Sequence, residues 1–397
     1  IGGGATGAGC ALDAAVRGLR VACVERGDFA SETSSKSTKL VHGGVRYLEK
    51  AIKNLDWNQY KLVREALKER ATFLQIAPHL SSEFSIALPI YSWYKVPYFW
   101  CGSKIYDFIA GSCKLSPSFF LTKQQTLKEF PLLNDKGLCG AMIYSDGQQN
   151  DARMNLALAQ TATYYKAKVL NYTEVTKFLK SPEGKINGVE VQDRITNDKF
   201  NIYAKCIINA TGPFSDVIKQ LDDPQSAPLM CASSGTHLML PTKYSYTKMG
   251  FIDPRSHDGR VTFMLPWQGR LIVGTTDEPA SVHSNPLPTQ KEIDFILSQV
   301  NKNLSKGNSV GPQNVLSSWS GIRPLVSNPS VAHTAALVRS HLVEMSKSGL
   351  VSISGGKWTT YRNMAEDTVD FCIKHHQLMP NITFKSTMLI PLLGSHG

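Results

Sequence analysis

The hydrophobic pattern begins on glycines. Gly2 to Gly9 forms a glycine loop, and Ala5 to Arg17 then reads as a short helix rich in alanine. Leu19 to Glu25 is an apolar run ending on an acid, the signature of a buried strand. Together these make the later part of a βαβ unit whose first strand is reduced to Ile1. Gly27 to Gly44 is polar and rich in serine and threonine, which predicts a long loop. Between Leu55 and Ala77 apolar residues recur at Leu55, Leu62, Val63, Ala66, Leu67, Phe73 and Leu74, with charges between them. That spacing predicts an amphipathic helix ended by Pro78. Asp151 is placed to cap a helix reaching about Ala167. Strand-like runs follow, divided by the turn signals Pro182-Glu183-Gly184, Asn187-Gly188 and Asn197-Asp198, and they close on Cys206 to Gly212. Further strands are predicted at His237 to Leu240, Val261 to Leu265, Leu271 to Val273 and Leu350 to Ser354. Helices are predicted near Glu292 to Lys302 and from about Thr359 to Lys374.

This alternation implies a mixed α/β (α+β) fold. A Rossmann-like nucleotide-binding domain would be assembled from residues 1–77, 145–213 and 315–376. An antiparallel-sheet substrate domain would be inserted as residues 78–144 and 214–314, and 377–397 would begin a further C-terminal domain.

Composition narrows the class. The 397 residues are 42% hydrophobic and 19% charged, which fits a folded core and excludes a disordered chain. The net charge of +11 suits an anionic partner: nucleic acid, a membrane surface or a phosphate-bearing small molecule. Nucleic acid is not expected, because no basic–aromatic RNA signature and no zinc finger is present. The 8 cysteines form no C-x-x-C pair, so they read as reduced thiols, with no metal site. No stretch of about 20 apolar residues suggests a spanning helix. The aromatic segment from Tyr91 to Gly111 is broken by Lys95, Pro97, Lys104 and Asp107. Its rings suit either the headgroup layer of a membrane or the core of the substrate domain.

The strongest local chemistry lies in Gly2-x-Gly4-x-x-Gly7, with Ala11 inside the helix and Glu25 after it. Glycines there permit a tight turn and close backbone approach, and the helix N-terminus offers N–H groups to a pyrophosphate. Glu25 is placed to accept hydrogen bonds from ribose hydroxyls. Two later sites repeat the theme: Ala210-Thr211-Gly212 after a strand, and Gly355-Gly356-Lys357 followed by Thr359 at a helix start. Their joint occurrence suits a cofactor lying extended across the domain.

Several longer runs make the reading specific. Thr33-Ser34-Ser35-Lys36-Ser37-Thr38-Lys39-Leu40-Val41-His42-Gly43-Gly44-Val45-Arg46-Tyr47-Leu48, Ala210-Thr211-Gly212-Pro213, Gly274-Thr275-Thr276-Asp277, Ser320-Gly321-Ile322-Arg323-Pro324-Leu325 and Gly355-Gly356-Lys357-Trp358-Thr359-Thr360-Tyr361-Arg362 resemble those of FAD-dependent glycerol-3-phosphate dehydrogenases. Asp146-Gly147-Gln148 and Asn150-Asp151-Ala152-Arg153 are similar to the mitochondrial branch. The resemblance implies FAD as cofactor, held by Gly2, Gly4, Gly7, Glu25, Thr33, Ser34, Lys39, His42, Gly43, Gly44, Ala210, Thr211, Gly212, Gly356, Lys357 and Thr359, with the backbone of Val175 against the adenine. It also implies glycerol 3-phosphate as substrate, a quinone acceptor, and a peripheral place on the mitochondrial inner membrane, with a homodimer open. The helical C-terminal domain and calcium-binding loops of the mitochondrial branch have no counterpart in this sequence, so no calcium site is expected.

Oxidising a secondary alcohol with a flavin requires an oriented C–H bond, a base for the hydroxyl proton and an anchor for the distant phosphate. Arginine suits the anchor through its planar fork. The resemblance points to Arg46, Arg323 and Arg339, with Tyr47 and Lys357 beside them. His237, in Gly235-Thr236-His237, is the candidate base because its ordinary pKa of about 6.5 lets it take a proton at neutral pH. A structural histidine is the competing reading, and His42 is a rival base. Thr276 and Asp277 fall in the same region without an assigned role. A glycerophosphate oxidase, an amino-acid or sarcosine oxidase of the same fold, and an inactive fragment remain as alternative readings.

Overall fold

The computed structural model describes residues 1–244, 247–253, 261–326, 341–382 and 387–395, without the side chains of residues 46, 50 and 52. Along the first part run α1 (Ala5–Val16), β1 (Ala22–Val24), β2 (Leu40–Val41), α2 (Val45–Asn54), α3 (Trp57–Ile76), β3 (Ser81–Ile90), α4 (Lys95–Ala110), β4 (Phe119–Thr122), α5 (Lys123–Glu129) and β5 (Gly140–Gln149). Next come α6 (Asp151–Tyr164), β6 (Lys168–Leu170), β7 (Thr173–Lys180), β8 (Ile186–Asp193), β9 (Lys199–Tyr203), β10 (Ile207–Asn209) and α7 (Ser215–Asp222). The remainder holds β11 (Met230–Pro241), β12 (Gly250–Asp253), β13 (Thr262–Trp267), β14 (Arg270–Gly274), β15 (Glu278–Pro279), α8 (Gln290–Asn303), β16 (Ser317–Val326), β17 (His341–Met345), β18 (Leu350–Gly355) and α9 (Tyr361–His375).

Short parallel strands build the first part of the fold. β1 pairs with β6 and β10 with β18, both parallel, while β17 lies antiparallel on β18. Ile1 and Gly2 join the two pieces. The Ile1 ammonium donates to the Ile208 carbonyl at 2.7 Å, Ala210 N–H donates to the Ile1 carbonyl at 2.9 Å, and Gly2 N–H donates to the Val24 carbonyl at 2.9 Å. Small residues let helices approach this layer closely: Ala5, Ala8, Ala11 and Ala15 of α1 share a core with Ala157, Ala159 and Ala162 of α6. A Cβ on Gly9 would stand 3.1 Å from the Tyr361 ring, so α1 and α9 meet almost backbone to ring. Residues 387–395 close this core from outside, with Leu392 fully buried and its N–H donating to the Ile76 carbonyl at 2.9 Å.

A ten-stranded sheet forms the second part, ordered β15-β11-β14-β13-β12-β3-β5-β2, with β16 on β11 and β4 on β5. All its pairs are antiparallel except β12 with β3, so the sheet expected to be antiparallel carries one parallel pair. Strand alternation gives it two apolar faces. Leu238, Leu240, Leu271 and Val273 point to α8, whereas Met239 and Ile272 join Tyr106, Leu67 and Trp319 on the other side. β5 runs through residue 145 and β16 begins at Ser317, both beyond the boundaries at which the sequence reading changed domains. Each pairs along its whole length within the large sheet, and a continuous hydrogen-bond ladder cannot be divided between two domains.

Other differences have local causes. Asn150, not Asp151, is the N-cap of α6 and accepts from Arg153 N–H at 3.2 Å. Asp151 is instead drawn inward by Lys39 and Ser37. The stretch predicted as loop contains a 3-10 turn at Thr33–Ser35 and β2, and the unanticipated α2 follows it. α2 is a short helix whose buried Leu48 and Ala51 hold it by packing rather than by propensity. In the aromatic segment the core reading holds for Tyr106, which is 2% exposed, and fails for Trp93 and Phe108, which are 68% and 85% exposed. Among the described residues no helix is long and apolar enough to cross a membrane.

Candidate functional site

The glycine turn is built from backbone contacts that side chains would block. Gly2 has φ +97°, and a Cβ on Gly7 would overlap the carbonyl oxygen of Gly2. Gly4 is the extended N-cap of α1 and supplies no side chain to that helix end. The Glu25 carboxylate accepts from Gly3 N–H at 2.7 Å and from Gly27 N–H at 2.8 Å. It thereby fixes the loop, and each oxygen keeps a lone pair for a further donor. Ala210-Thr211-Gly212 ends β10 beside this turn, Thr211 donating to Asn209 at 2.7 Å and Gly212 adopting φ +55°. Val175 is buried on β7 with Val24 and Ile207, next to a register shift that begins after it.

The serine–threonine segment ties three distant pieces to the N-terminus of α1. Ser34 Oγ accepts from Ala5 N–H at 2.9 Å, and the Ser34 carbonyl accepts from the Trp358 indole at 2.8 Å. Thr33 Oγ1 donates to the Ile322 carbonyl at 2.8 Å. Gly356, at φ +78°, leads into the 3-10 turn that carries buried Thr359. Further on, Lys39 Nζ pairs at 2.6 Å with Asp151 Oδ1, a carboxylate wholly removed from water. Burial pushes the Asp151 carboxyl up, opposed by Lys39 and Ser37. His42 is half-buried at the end of β2, and Gly43 N–H donates to Asp146 Oδ1 at 3.2 Å. Gly44, at φ +81°, starts α2.

His237 stands between two cross-strand neighbours, Gly274 on β14 and Trp319 on β16. Its ring stacks on Trp319 at 5.3 Å with 13° between planes, and a Cβ on Gly274 would press against it at 2.9 Å. Nε2 shares a hydrogen bond with Thr38 Oγ1 at 2.9 Å, while Nδ1 is buried and has no partner among the described residues. Burial, with the nearby cations Arg323 and Lys39 adding to it, pushes its pKa down to about 3. The ordinary value on which the sequence argument rested does not apply: the ring is neutral at neutral pH because its charged form is penalised.

Arg323 is tightly engaged. Nη1 pairs with Asp277 Oδ1 at 3.0 Å and also reaches Ser233 and Ser234, while Nη2 donates to Thr275 Oγ1 at 3.0 Å and to the Thr276 carbonyl at 2.9 Å. Gly235 gives this guanidinium its room, since a Cβ there would collide with it. Lys357 Nζ lies 3.8 Å from the centre of the Tyr47 ring, a cation–π contact. Arg339 and the Arg46 side chain lie outside the described residues.

The sequence argument missed several members of this neighbourhood. Trp319, three residues before Ile322, forms the floor under His237, and its indole nitrogen is buried with no partner among the described residues. Asn155 donates to the Gly3 carbonyl at 2.9 Å, and its Oδ1 is buried with no partner among the described residues, as are both amide atoms of Gln149. Glu292 at the start of α8 accepts from Thr236 at 2.9 Å and Thr276 at 2.8 Å, bracing the strand that carries His237 and the segment before Asp277. Adjacency to the glycine and arginine runs was the only signal for Trp319 and Gln149; Asn155 and Glu292 had none. A dinucleotide cofactor fits these residues on two counts. The Gly2–Gly7 cradle is one a Cβ would fill, and the orphaned polar atoms of Asn155 and Gln149 call for partners that the described residues do not supply.

Residues 1–362 match the family described as FAD dependent oxidoreductase. The mitochondrial glycerol-3-phosphate dehydrogenase of Rattus norvegicus is 54% identical over 383 residues, covering 95% of this chain and 53% of that protein. The chain thus spans about half the length of this curated relative. The glycerol-3-phosphate dehydrogenase of Bacillus halodurans, solved in complex with FAD, superposes with a TM-score of 0.78 at 34% identity over 99% of this chain and 66% of that one. An L-alpha-glycerophosphate oxidase from Mycoplasma pneumoniae shares the fold with a TM-score of 0.67 at 17% identity, covering 93% of this chain and 92% of that one.

Proposed function

We propose that this chain, which belongs to the FAD dependent oxidoreductase family, carries the flavin and substrate sites of a glycerol-3-phosphate dehydrogenase. It oxidises sn-glycerol 3-phosphate to dihydroxyacetone phosphate and passes the electrons to membrane quinone. The observation that carries this reading is the buried neutral His237, stacked on Trp319 and bonded to Thr38, in a chain so similar to the rat enzyme. FAD bound across the Gly2–Gly7 turn would supply the hydride acceptor.

The chain's own residues account for the rest. Gly2, Gly4 and Gly7 admit the pyrophosphate to the N-terminus of α1, and Glu25 receives the ribose hydroxyls. Thr33, Ser34, Lys39, His42, Gly43, Gly44, Thr211, Gly212, Gly356 and Thr359 form the walls, with Val175 at the adenine end. When Nε2 of His237 donates to Thr38, Nδ1 keeps a free lone pair, and that is the atom proposed to take the hydroxyl proton. Its low basicity is offset during the reaction, because an alkoxide forming beside Arg323 and Lys39 is stabilised by both charges. Arg323, with Arg46, Arg339, Tyr47 and Lys357, positions the phosphate. The site lies in a nucleotide-binding unit made of the segments around α1, α6 and α9, against the inserted large sheet.

The relatives' names favour a mitochondrial protein. The exposed rings of Trp93, Tyr94, Trp100 and Phe108 with Lys95 favour peripheral attachment to the inner membrane, where quinone dissolves. A homodimer is compatible with this arrangement. The test is the visible spectrum of the purified chain. Oxidised-flavin bands that bleach anaerobically on adding sn-glycerol 3-phosphate, with dihydroxyacetone phosphate formed, support the reading. Bleaching by glycine or sarcosine instead, or a colourless protein, overturns it, and reoxidation by oxygen faster than by a short-chain quinone removes the quinone step.

A further inference from the structure

Between His237 and Arg323 the sheet carries a row without side chains. On the paired strands β11 and β16, His237 stands opposite Trp319, Gly235 opposite Gly321, and Ser233 opposite Arg323. Strand alternation sets these three rows on one face of the sheet. The Arg323 side chain leans back over the glycine row. A Cβ on Gly235 would overlap Nη2 and stand 2.6 Å from Cζ, whereas a Cβ on Gly321 would meet Lys36, 2.8 Å from its Cβ and 3.2 Å from its carbonyl oxygen. One glycine therefore admits the guanidinium, and the other admits the serine–threonine segment.

Acceptors on two segments hold the guanidinium in that seat. They are the Thr276 carbonyl at 2.9 Å, Thr275 Oγ1 and Asp277 Oδ1 at 3.0 Å, the Ser234 carbonyl at 3.2 Å and Ser233 Oγ at 3.3 Å. The Arg323 side chain is still 31% exposed, which leaves it within reach of a ligand. One row along the same face, His237 is buried and its Nδ1 has no partner among the described residues. A buried nitrogen in that state calls for a polar group from outside the protein.

We infer that Gly235 is a positioning residue for substrate recognition. By offering no side chain it seats the Arg323 guanidinium one row from His237 and so fixes the separation between the phosphate anchor and the base. This rests on the functional reading above. Two residues of strand span roughly 6–7 Å, a distance that a hydroxyl and a phosphate joined through two carbons and one oxygen can bridge. A 2-hydroxy or 2-amino acid carries its two polar groups on neighbouring carbons and falls short. Gly235 lies inside β11 without a left-handed φ, so alanine fits the backbone, and the nearest atoms its methyl meets belong to the guanidinium. Substitution there moves the anchor and leaves His237 where it is.

The test is stopped-flow reduction of the bound flavin by sn-glycerol 3-phosphate, read as a half-saturating concentration and a limiting rate. Gly235→Ala should raise the half-saturating concentration about 10–100-fold, the worth of a charge-assisted hydrogen bond. Its limiting rate should fall less than about threefold, because the lost contact serves binding rather than the proton transfer. Lysine at position 323 has no planar fork to seat. Adding Gly235→Ala to Arg323→Lys should therefore raise the half-saturating concentration no more than about twofold further. If Gly235→Ala alone loses flavin or fold, Arg323→Lys should restore both by withdrawing the group that the methyl strikes, and failure to restore them overturns the inference. Unchanged half-saturation in Gly235→Ala, or losses that simply multiply in the double variant, overturn it while the functional reading stands. An unsubstituted chain whose flavin is not bleached by sn-glycerol 3-phosphate removes the functional reading and this inference with it.

Discussion

His237 owes its state to the residues on either side of it. Gly274 leaves space for the imidazole on one strand, and Trp319 covers its face from the other. With Arg323 and Lys39 nearby, protonation inside this slot is far harder than in the unfolded chain. The pKa near 3 lies below the unfolded value of about 6.5, so the neutral ring contributes stability above the unfolded value. That contribution declines as pH falls toward the folded pKa. Lowering pH from 7 to 4.5 should cost the wild-type chain about 2–3 kcal/mol through this residue. His237→Gln should lose less over the same interval, as urea unfolding at the two pH values would show; an identical pH slope would contradict the burial argument. In stopped-flow mixing with excess sn-glycerol 3-phosphate, the same variant should reduce bound flavin about 10²–10⁴-fold more slowly if His237 is the base.

Between α3, α4 and β5 lies a buried ion pair that supports the site from behind. Arg70 and Asp146 are both at most 1% exposed and meet at 2.8 Å, and Asp146 also accepts from Tyr106 at 2.8 Å and from Gly43 N–H at 3.2 Å. Burial raises the Asp146 carboxyl, while Arg70 and Tyr106 oppose that shift. The network holds the Gly43–Gly44 bend that starts α2, and it explains why Gly43 admits no side chain: Tyr106 and Leu67 fill the space. Asp146→Asn strands the Arg70 guanidinium in the core and should lower stability by about 3–5 kcal/mol. Tyr106→Phe removes one hydrogen bond and should lower it by about 1 kcal/mol. Chemical denaturation monitored by tryptophan fluorescence distinguishes the two, and equal losses would show that the charge pair is not what matters. α2 itself was not legible in the sequence. Its helical state depends on burying Leu48 and Ala51 beneath neighbouring helices, and a short helix has no other source of stability.

At the scale of the whole molecule, α4 presents one buried ring and several exposed ones. Tyr106 faces the core, while Trp93, Tyr94, Trp100 and Phe108 stand outside it with Lys95 and Lys104 close by. Aromatic rings with polar edges favour the headgroup layer, and lysines favour anionic lipid. Flotation with anionic liposomes should therefore carry the chain upward, less so at high salt. Trp93→Ser with Trp100→Ser should weaken flotation without changing the unfolding midpoint, because both rings already lie in solvent. Undiminished flotation of the folded double variant would place the docking surface elsewhere.

Local features were readable from the chain by itself. The Gly2–Gly7 turn, α1 and Glu25 lie within a few turns of one another, and glycine, alanine and a terminal acid at that spacing carry their own backbone requirements. The long helix α3, the strands around His237 and the start of α9 were legible for the same reason, since periodicity is a short-range property. What only the tertiary structure decided depends on positions far apart in sequence. Lys39 meets Asp151, Thr38 meets His237, and Arg323 is paired with Asp277. β5 and β16 join the large sheet because of distant partners. Even the state of His237 belongs to this second group: residue type supplies a titratable ring, but the dielectric and charges around it are set by which strands become its neighbours.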